Sequence, residues 1–198
     1  MNLKDLIRLS NTYRKVKDKG SKPVSGSFKL VPQIALGRLG FEVRMKSLSG
    51  KIDKSSSRRP PWKLQFLFTG VKFSRLGEIP KNEVGKNIWQ DSGVSIGKGL
   101  GNWYFKIPSI DKEDCKVMCS CPSFRHEFAF QDAAKNALVG GTSWARYSRV
   151  TPPKRRPKSP KNPNPEGRDF RNPENIPGLC HHCASMVNFL LRNNYLKR

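Results

Sequence analysis

The chain has 198 residues, and its 38 Lys and Arg against 15 Asp and Glu give a formal charge of +23. A hydrophobic fraction of 36% is enough to bury the core of one domain or two small ones, and is too high for full disorder. No run of 18 apolar residues is present, which excludes an ordinary membrane-spanning helix, and the odd count of 5 cysteines in a chain this long argues against a small disulfide-stapled scaffold.

The first predicted element is an amphipathic helix. Leu3, Leu6, Ile7, Leu9 and Tyr13 recur at helical spacing over residues 3–17, and no signal peptide is expected there. Lys15, Lys17, Lys19 and Lys22 lead into a basic loop, so residues 1–26 read as a basic N-terminal helix and arm. Residues 27–113 read as a strand-rich basic region. Within it Phe41, Val43 and Met45 alternate with Glu42, Arg44 and Lys46, the period of a half-buried strand. The polar stretch 49–61, SGKIDKSSSRRPP, cannot build a core and reads as a loop. Trp62, Leu64, Phe66, Phe68, Val71 and Phe73 carry the strongest strand signal, over 62–73. From Gly77 to Gly101 the chain reads as glycine-rich punctuation. Trp103, Phe105 and Ile107 predict a further strand, and Cys115 to Met118 a short one that delivers the chain into a cysteine cluster.

Beyond this point the period changes. Phe124, Phe128, Ala133 and Ala137 predict a helix from about Pro122 to Val139, with Pro122 tolerated in its first turn and Gly140 and Gly141 stopping it. Residues 151–177 hold eight prolines and the basic run Lys154, Arg155, Arg156, Lys158, an irregular insertion. A last helix is predicted from Ala184 to Leu196. The fold class expected is α+β: a small antiparallel, strand-rich body with a zinc-stabilised hairpin, and helices in the C-terminal half. Residues 114–198 form the metal-type module.

All 5 cysteines and all 3 histidines lie between residues 115 and 183. Structural zinc takes four thiolate and imidazole ligands in a closed tetrahedron. Cys119 and Cys121 supply one pair. Alternate residues of an extended chain point the same way, so both sulfurs can face one ion. Cys180 and His182 supply the second pair, just before a predicted helix. His181 and Cys183 are the alternatives to His182, Cys183 because it makes a Cys-x-x-Cys pair with Cys180. Cys115 and His126 read as core or supporting residues. An iron–sulfur cluster is a further possibility, but the spacing does not match the repeats of simple ferredoxins. Closing both ends of the long insertion on one ion cuts the entropy of that excursion, which points to a site that organises the fold.

The order Cys119-x-Cys121, long gap, Cys180-x-His182 resembles the SWIM-type zinc finger. In that family Cys-x-Cys sits on a β-hairpin and Cys-x-His at the start of a helix. Two longer strings, CSCPSFRHEFAF at 119–130 and RNPENIPGLCHHC at 171–183, look like a SWIM-like motif of structural or uncharacterised proteins of large tailed bacteriophages. The resemblance implies zinc ligation by Cys119, Cys121, Cys180 and His182. It also implies DNA binding or protein–protein contact, in a virion or in host cytoplasm.

The charge independently points to a polyanionic partner. Residues 1–99 carry 21 basic and 7 acidic side chains, and residues 100–198 carry 17 and 8. A body so charged repels itself unless a polyanion lies against it, and phosphate contacts would give salt-dependent affinity without base specificity. The candidate nucleic-acid contacts are Lys51, Lys54, Arg58 and Arg59 in one loop and Lys154, Arg155, Arg156 and Lys158 in the other. Trp62 and Trp144 flank basic residues and are placed either to stack on bases or to pack in the core. In a virion the same loops would order against viral structural proteins, which makes nucleic acid and viral subunits the expected partners, without a membrane or a small-molecule substrate. A zinc-dependent DNA-binding regulator and a zinc nuclease are the other readings. Catalysis is not expected. A four-ligand zinc leaves no position for water, and neither a His-Glu-x-x-His string nor a Gly-x-x-x-x-Gly-Lys-Ser/Thr phosphate loop occurs. A serine nucleophile elbow is not expected either. The glycines 93, 97, 99 and 101 around Lys98 read as a turn and not as a phosphate cradle.

Overall fold

The computed structural model describes residues 1–17, 31–37, 40–49, 62–95, 102–141 and 176–198. Helix α1 (Leu3–Lys17) forms where the apolar stripe predicts it. Asn2 Oδ1 accepts the Asp5 N–H at 2.8 Å, which satisfies a donor the first turn would leave orphaned. Leu3 and Leu6 are fully buried, and the Lys4 N–H donates to the Ile110 carbonyl at 2.8 Å, fastening the helix to the segment that precedes the metal module.

Strands β1 (Val31–Gly37), β2 (Gly40–Ser49) and β3 (Trp62–Thr69) run antiparallel in sequence order. The run 62–73, expected as one strand, is two. Gly70 adopts φ +77, a left-handed conformation that glycine takes without a Cβ penalty, and the chain turns there. Val71 is buried at the corner, and Phe73–Arg75 forms β4 in a second sheet. Strand β5 (Trp89–Ser95) lies inside the region read as glycine-rich punctuation. It pairs with β6 (Asn102–Lys106), and its register shifts between Asp91 and Ser95, a bulge that accommodates Gly93. Its composition gives no period-two signal, so tertiary pairing with β6 decides it. Strand β7 (Asp114–Cys119) then returns to the first sheet beside β3, giving the order β1-β2-β3-β7 in one sheet and β4-β6-β5 in the other.

The helix expected over 122–139 is also two elements, α2 (Pro122–Glu127) and α3 (Ala129–Ala134). Phe128 departs from helical geometry at φ −121 between them, and its ring and that of Phe124 are both buried, 6.4 Å apart. Asn136, at φ +55, ends the second helix four residues before the expected glycine stop. Leu138 then forms a parallel bridge to Val117, with the Val117 N–H on the Ala137 carbonyl at 2.8 Å. The exposed edge of β7 thereby gains a partner. The last helix, α4 (His181–Arg192), starts three residues earlier than the expected Ala184 and ends where Asn194 takes φ +58. Leu196 folds back into the core.

One hydrophobic cluster draws residues from all three segments of the sequence. Leu3 and Leu6 of α1, Val43 and Met45 of β2, Leu64, Phe66 and Phe68 of β3, Cys115, Val117 and Cys119 of β7, Phe124 of α2, and Met186, Val187 and Leu190 of α4 all belong to it. The residues alternating with these along β2, β3 and β7 form the outer face of the four-stranded sheet. The fold is α+β, with its helices mostly in the C-terminal half.

Candidate metal centre

Four side chains meet at one end of that core. Single ligand atoms from Cys119, Cys121, Cys180 and His182 lie within 4.8 Å of one another. A tetrahedral zinc with Zn–S bonds of about 2.3 Å sets its donors about 3.8 Å apart, so each pair is within about 1 Å of a closed zinc shell. The three cysteines are buried and His182 half-buried.

Each pair is delivered by a strand or extended segment running into a helix. Cys119 is the last residue of β7, opposite Leu64, and Ser120 is clamped to β3 from both sides. Its N–H donates to the Lys63 carbonyl at 2.9 Å, and its Oγ accepts the Lys63 N–H at 2.8 Å. Cys121 is still extended (φ −69, ψ 149) and is the N-cap of α2, with Pro122 next to it. The alternation that turns both sulfurs to one side therefore continues through the Cys-x-Cys pair. The Cys121 Sγ accepts the Phe124 N–H at 3.3 Å, a donor that stabilises a thiolate. Cys180 repeats the arrangement as the N-cap of α4 (φ −66, ψ 168), which puts His182 in the first turn.

The segment before Cys180 is held from two helices. The Gly178 N–H donates to Asp132 Oδ1 of α3 at 2.8 Å, and the Leu179 N–H to Ser10 Oγ of α1 at 2.6 Å. Gly178 leaves no room for more, because a Cβ there would stand 2.7 Å from Ser10 Oγ and 3.2 Å from the Phe128 ring. Trp62 lies against His182, with ring centroids 6.4 Å apart, and the His181 ring centroid is 4.0 Å from that of His182.

The electrostatics also fit a cation. Hydrogen bonds from Cys119 and then Cys180 hold the Cys121 thiol far below its usual range, whereas burial pushes Cys180 and Cys183 up. Without an ion the buried donors resist further ionisation. A dication supplies the charge that lets the remaining thiols lose their protons. The Nδ1 of His182 is buried with no hydrogen-bond partner, and coordination is one way to satisfy it. The donor set fits a single Zn2+.

Among the alternatives read from sequence, Cys183 is fully buried one residue past His182, and burial pushes its thiol up. It borders the four-donor group without belonging to it. Cys115 is a core residue whose thiol burial pushes up. His126 falls within α2, and its side chain is outside the described residues. Lys51, Lys54, Arg58, Arg59, Lys154, Arg155, Arg156 and Lys158 also lie outside the described residues, as do Trp144 and Gly97 to Gly101. One catalytic string does occur against expectation: Gly93-Val94-Ser95-Ile96-Gly97 has the Gly-x-Ser-x-Gly spacing. Its serine ends β5 paired with Asn102 of β6. A nucleophile elbow needs a strand-to-helix turn, and here the next described element is an antiparallel strand.

Comparison with protein-family models, curated proteins and solved structures finds no match. Among the described residues, no helix is long and apolar enough to cross a membrane.

Proposed function

We propose that the chain is a non-enzymatic, zinc-stabilised nucleic-acid-binding protein that works in the virion or assembly complex of a large tailed bacteriophage. The observation that carries this reading is a closed four-donor cluster in a chain of net charge +23. Such a shell leaves a zinc no open position for a substrate or water, and so favours a structural role over a nuclease. The position of Cys119 at a strand end, and of Cys180 and His182 at a helix start, supports the resemblance to SWIM-type fingers. Both basic segments singled out from sequence are rooted near the cluster. Residues 50–61 lie between Ser49 and Trp62, which pair in register, and Trp62 touches His182. The proline-rich insertion rejoins the described chain at Ile176, four residues before Cys180.

The test is binding of the zinc-loaded chain to duplex DNA at several salt concentrations. Six or more phosphate contacts would lower affinity about 10³-fold or more between 50 and 200 mM salt. Absent or salt-insensitive binding overturns the nucleic-acid reading. Zinc-dependent strand scission overturns the non-enzymatic one, and absence of the chain from purified particles by mass spectrometry overturns the virion placement.

A further inference from the structure

We infer that the outer face of the four-stranded sheet is a platform for the phosphate backbone of a nucleic-acid strand, built from Arg44, Lys46, Lys63 and Lys116. The inference rests on the nucleic-acid reading above and gives it a surface made only of described residues. The inner face is fixed by Val43, Met45, Leu64, Phe66, Phe68, Cys115, Val117 and Cys119, all in the core cluster. Alternation therefore assigns the residues between them to the other side. Register aligns these in rows. Lys46, Gln65 and Met118 stand side by side, then Arg44, Leu67 and Lys116, then Glu42, Thr69 and Asp114. Lys63 stands one row nearer the metal cluster, opposite Leu48.

The rows are not uniform in charge. The four cations occupy the metal end, and the two acids share the far row. With strands about 4.8 Å apart and alternate residues about 6.8 Å apart, the four positions fall within roughly 15 Å. On this outer face Lys63 is exposed and Arg44, Lys46 and Lys116 are half-buried, and Leu67, between Arg44 and Lys116, is buried. Among the described residues, Lys4, Arg8 and Lys106 are in ion pairs with acids, whereas none of these four cations is. The Nε of Arg44 is buried and has no hydrogen-bond partner, which leaves the terminal guanidinium nitrogens as the donors this residue would offer a phosphate. Four like charges held close, none of them in an ion pair and with acids only in the adjoining row of Glu42 and Asp114, repel one another, and a phosphodiester strand crossing the metal end of the sheet relieves that repulsion. No aromatic side chain stands in the rows, so this surface offers charge and hydrogen bonds without base stacking. It is expected to bind irrespective of sequence.

The experiment substitutes Lys46→Gln, Lys63→Gln, Lys116→Gln and Arg44→Gln singly, with Lys135→Gln, at the C-cap of α3 and outside these rows, as a control. Affinity for a defined oligonucleotide, single-stranded and duplex, is measured against salt. Zinc content and thermal midpoint are followed on the same samples. Each sheet-face substitution is expected to weaken binding equally across sequences, and to reduce the log–log salt slope by about 0.7 on the single strand or 0.9 on the duplex. Lys135→Gln is expected to change neither. Steep wild-type binding with unchanged slopes in Lys46→Gln and Lys116→Gln overturns the platform and leaves the nucleic-acid reading standing. Absence of salt-dependent binding by the wild-type chain overturns both.

Discussion

Asp132 is the buried residue whose chemistry most exceeds its packing role. Its carboxyl is fully buried, one oxygen accepts the Gly178 N–H at 2.8 Å, and the other has no partner. Burial pushes its pKa well above the ordinary 3.8, against a smaller opposing effect of the Gly178 hydrogen bond. The native state therefore holds this proton over a range in which the unfolded chain has lost it. The stability it contributes is present below the unfolded value and is lost as pH rises from about 4 through the higher native pKa. Asp132→Asn keeps an oxygen for the Gly178 N–H and removes the ionisation. The variant is expected to melt above the wild type at pH 7, with a flatter dependence of midpoint on pH from 4 to 7. A midpoint several degrees below wild type at pH 7 would show instead that the fold uses the charged carboxylate.

At the scale of elements, the strap Pro177–Leu179 couples the metal centre to two helices remote from it in sequence. Gly178→Ala would drive a methyl into Ser10 Oγ and the Phe128 ring, and overpacking of this kind costs about 1–3 kcal/mol. Ser10→Ala leaves the Leu179 N–H without its acceptor, also at about 1–3 kcal/mol. Both variants are expected to retain one zinc per chain but to yield it to a competing chelator more readily, because Cys180 arrives less well placed. Unchanged chelator competition alongside a lowered midpoint would confine the strap to stability alone. The strap also marks the limit of what the sequence discloses. The four donors are legible because ligand chemistry resides in residue type and spacing, and α1 and β2 because one period holds along each. The strap is not legible, because Ser10 and Asp132 look like ordinary polar residues of helices. The split of 62–73 turns on the backbone of Gly70, and the end of α3 on Asn136 and the bridge from Leu138 to Val117. Strand β5 has no period of its own. In each case a contact distant in sequence outweighs local propensity.

For the whole molecule, the decisive fact is that three of the four donors grouped for a metal are core residues. Cys119, Cys121 and Cys180 belong to the same buried cluster as Leu3, Phe66 and Leu190, so an ion bound by them is expected to form one cooperative unit with the core. Structural zinc sites bind with about 10–16 kcal/mol near neutral pH, comparable to or larger than the 5–15 kcal/mol by which a domain is stable. Removing the ion would leave these thiols buried without the coordination that orders them. Chelation is therefore expected to abolish the cooperative melt, or to lower its midpoint by more than about 10 °C. The near-ultraviolet signal of Trp62, whose ring lies against His182, should be lost with it. Cys119→Ser, Cys121→Ser, Cys180→Ser and His182→Ala should each behave as the chelated chain does, whereas Cys115→Ala should keep its zinc and lose only packing energy. Zinc uptake displaces thiol protons, so affinity is expected to fall as pH falls, and re-addition of zinc at pH 7 should restore the melt. A chelated chain that melts within about 2 °C of the zinc-loaded one would show that the core stands without the ion, and that the cluster serves something other than the fold.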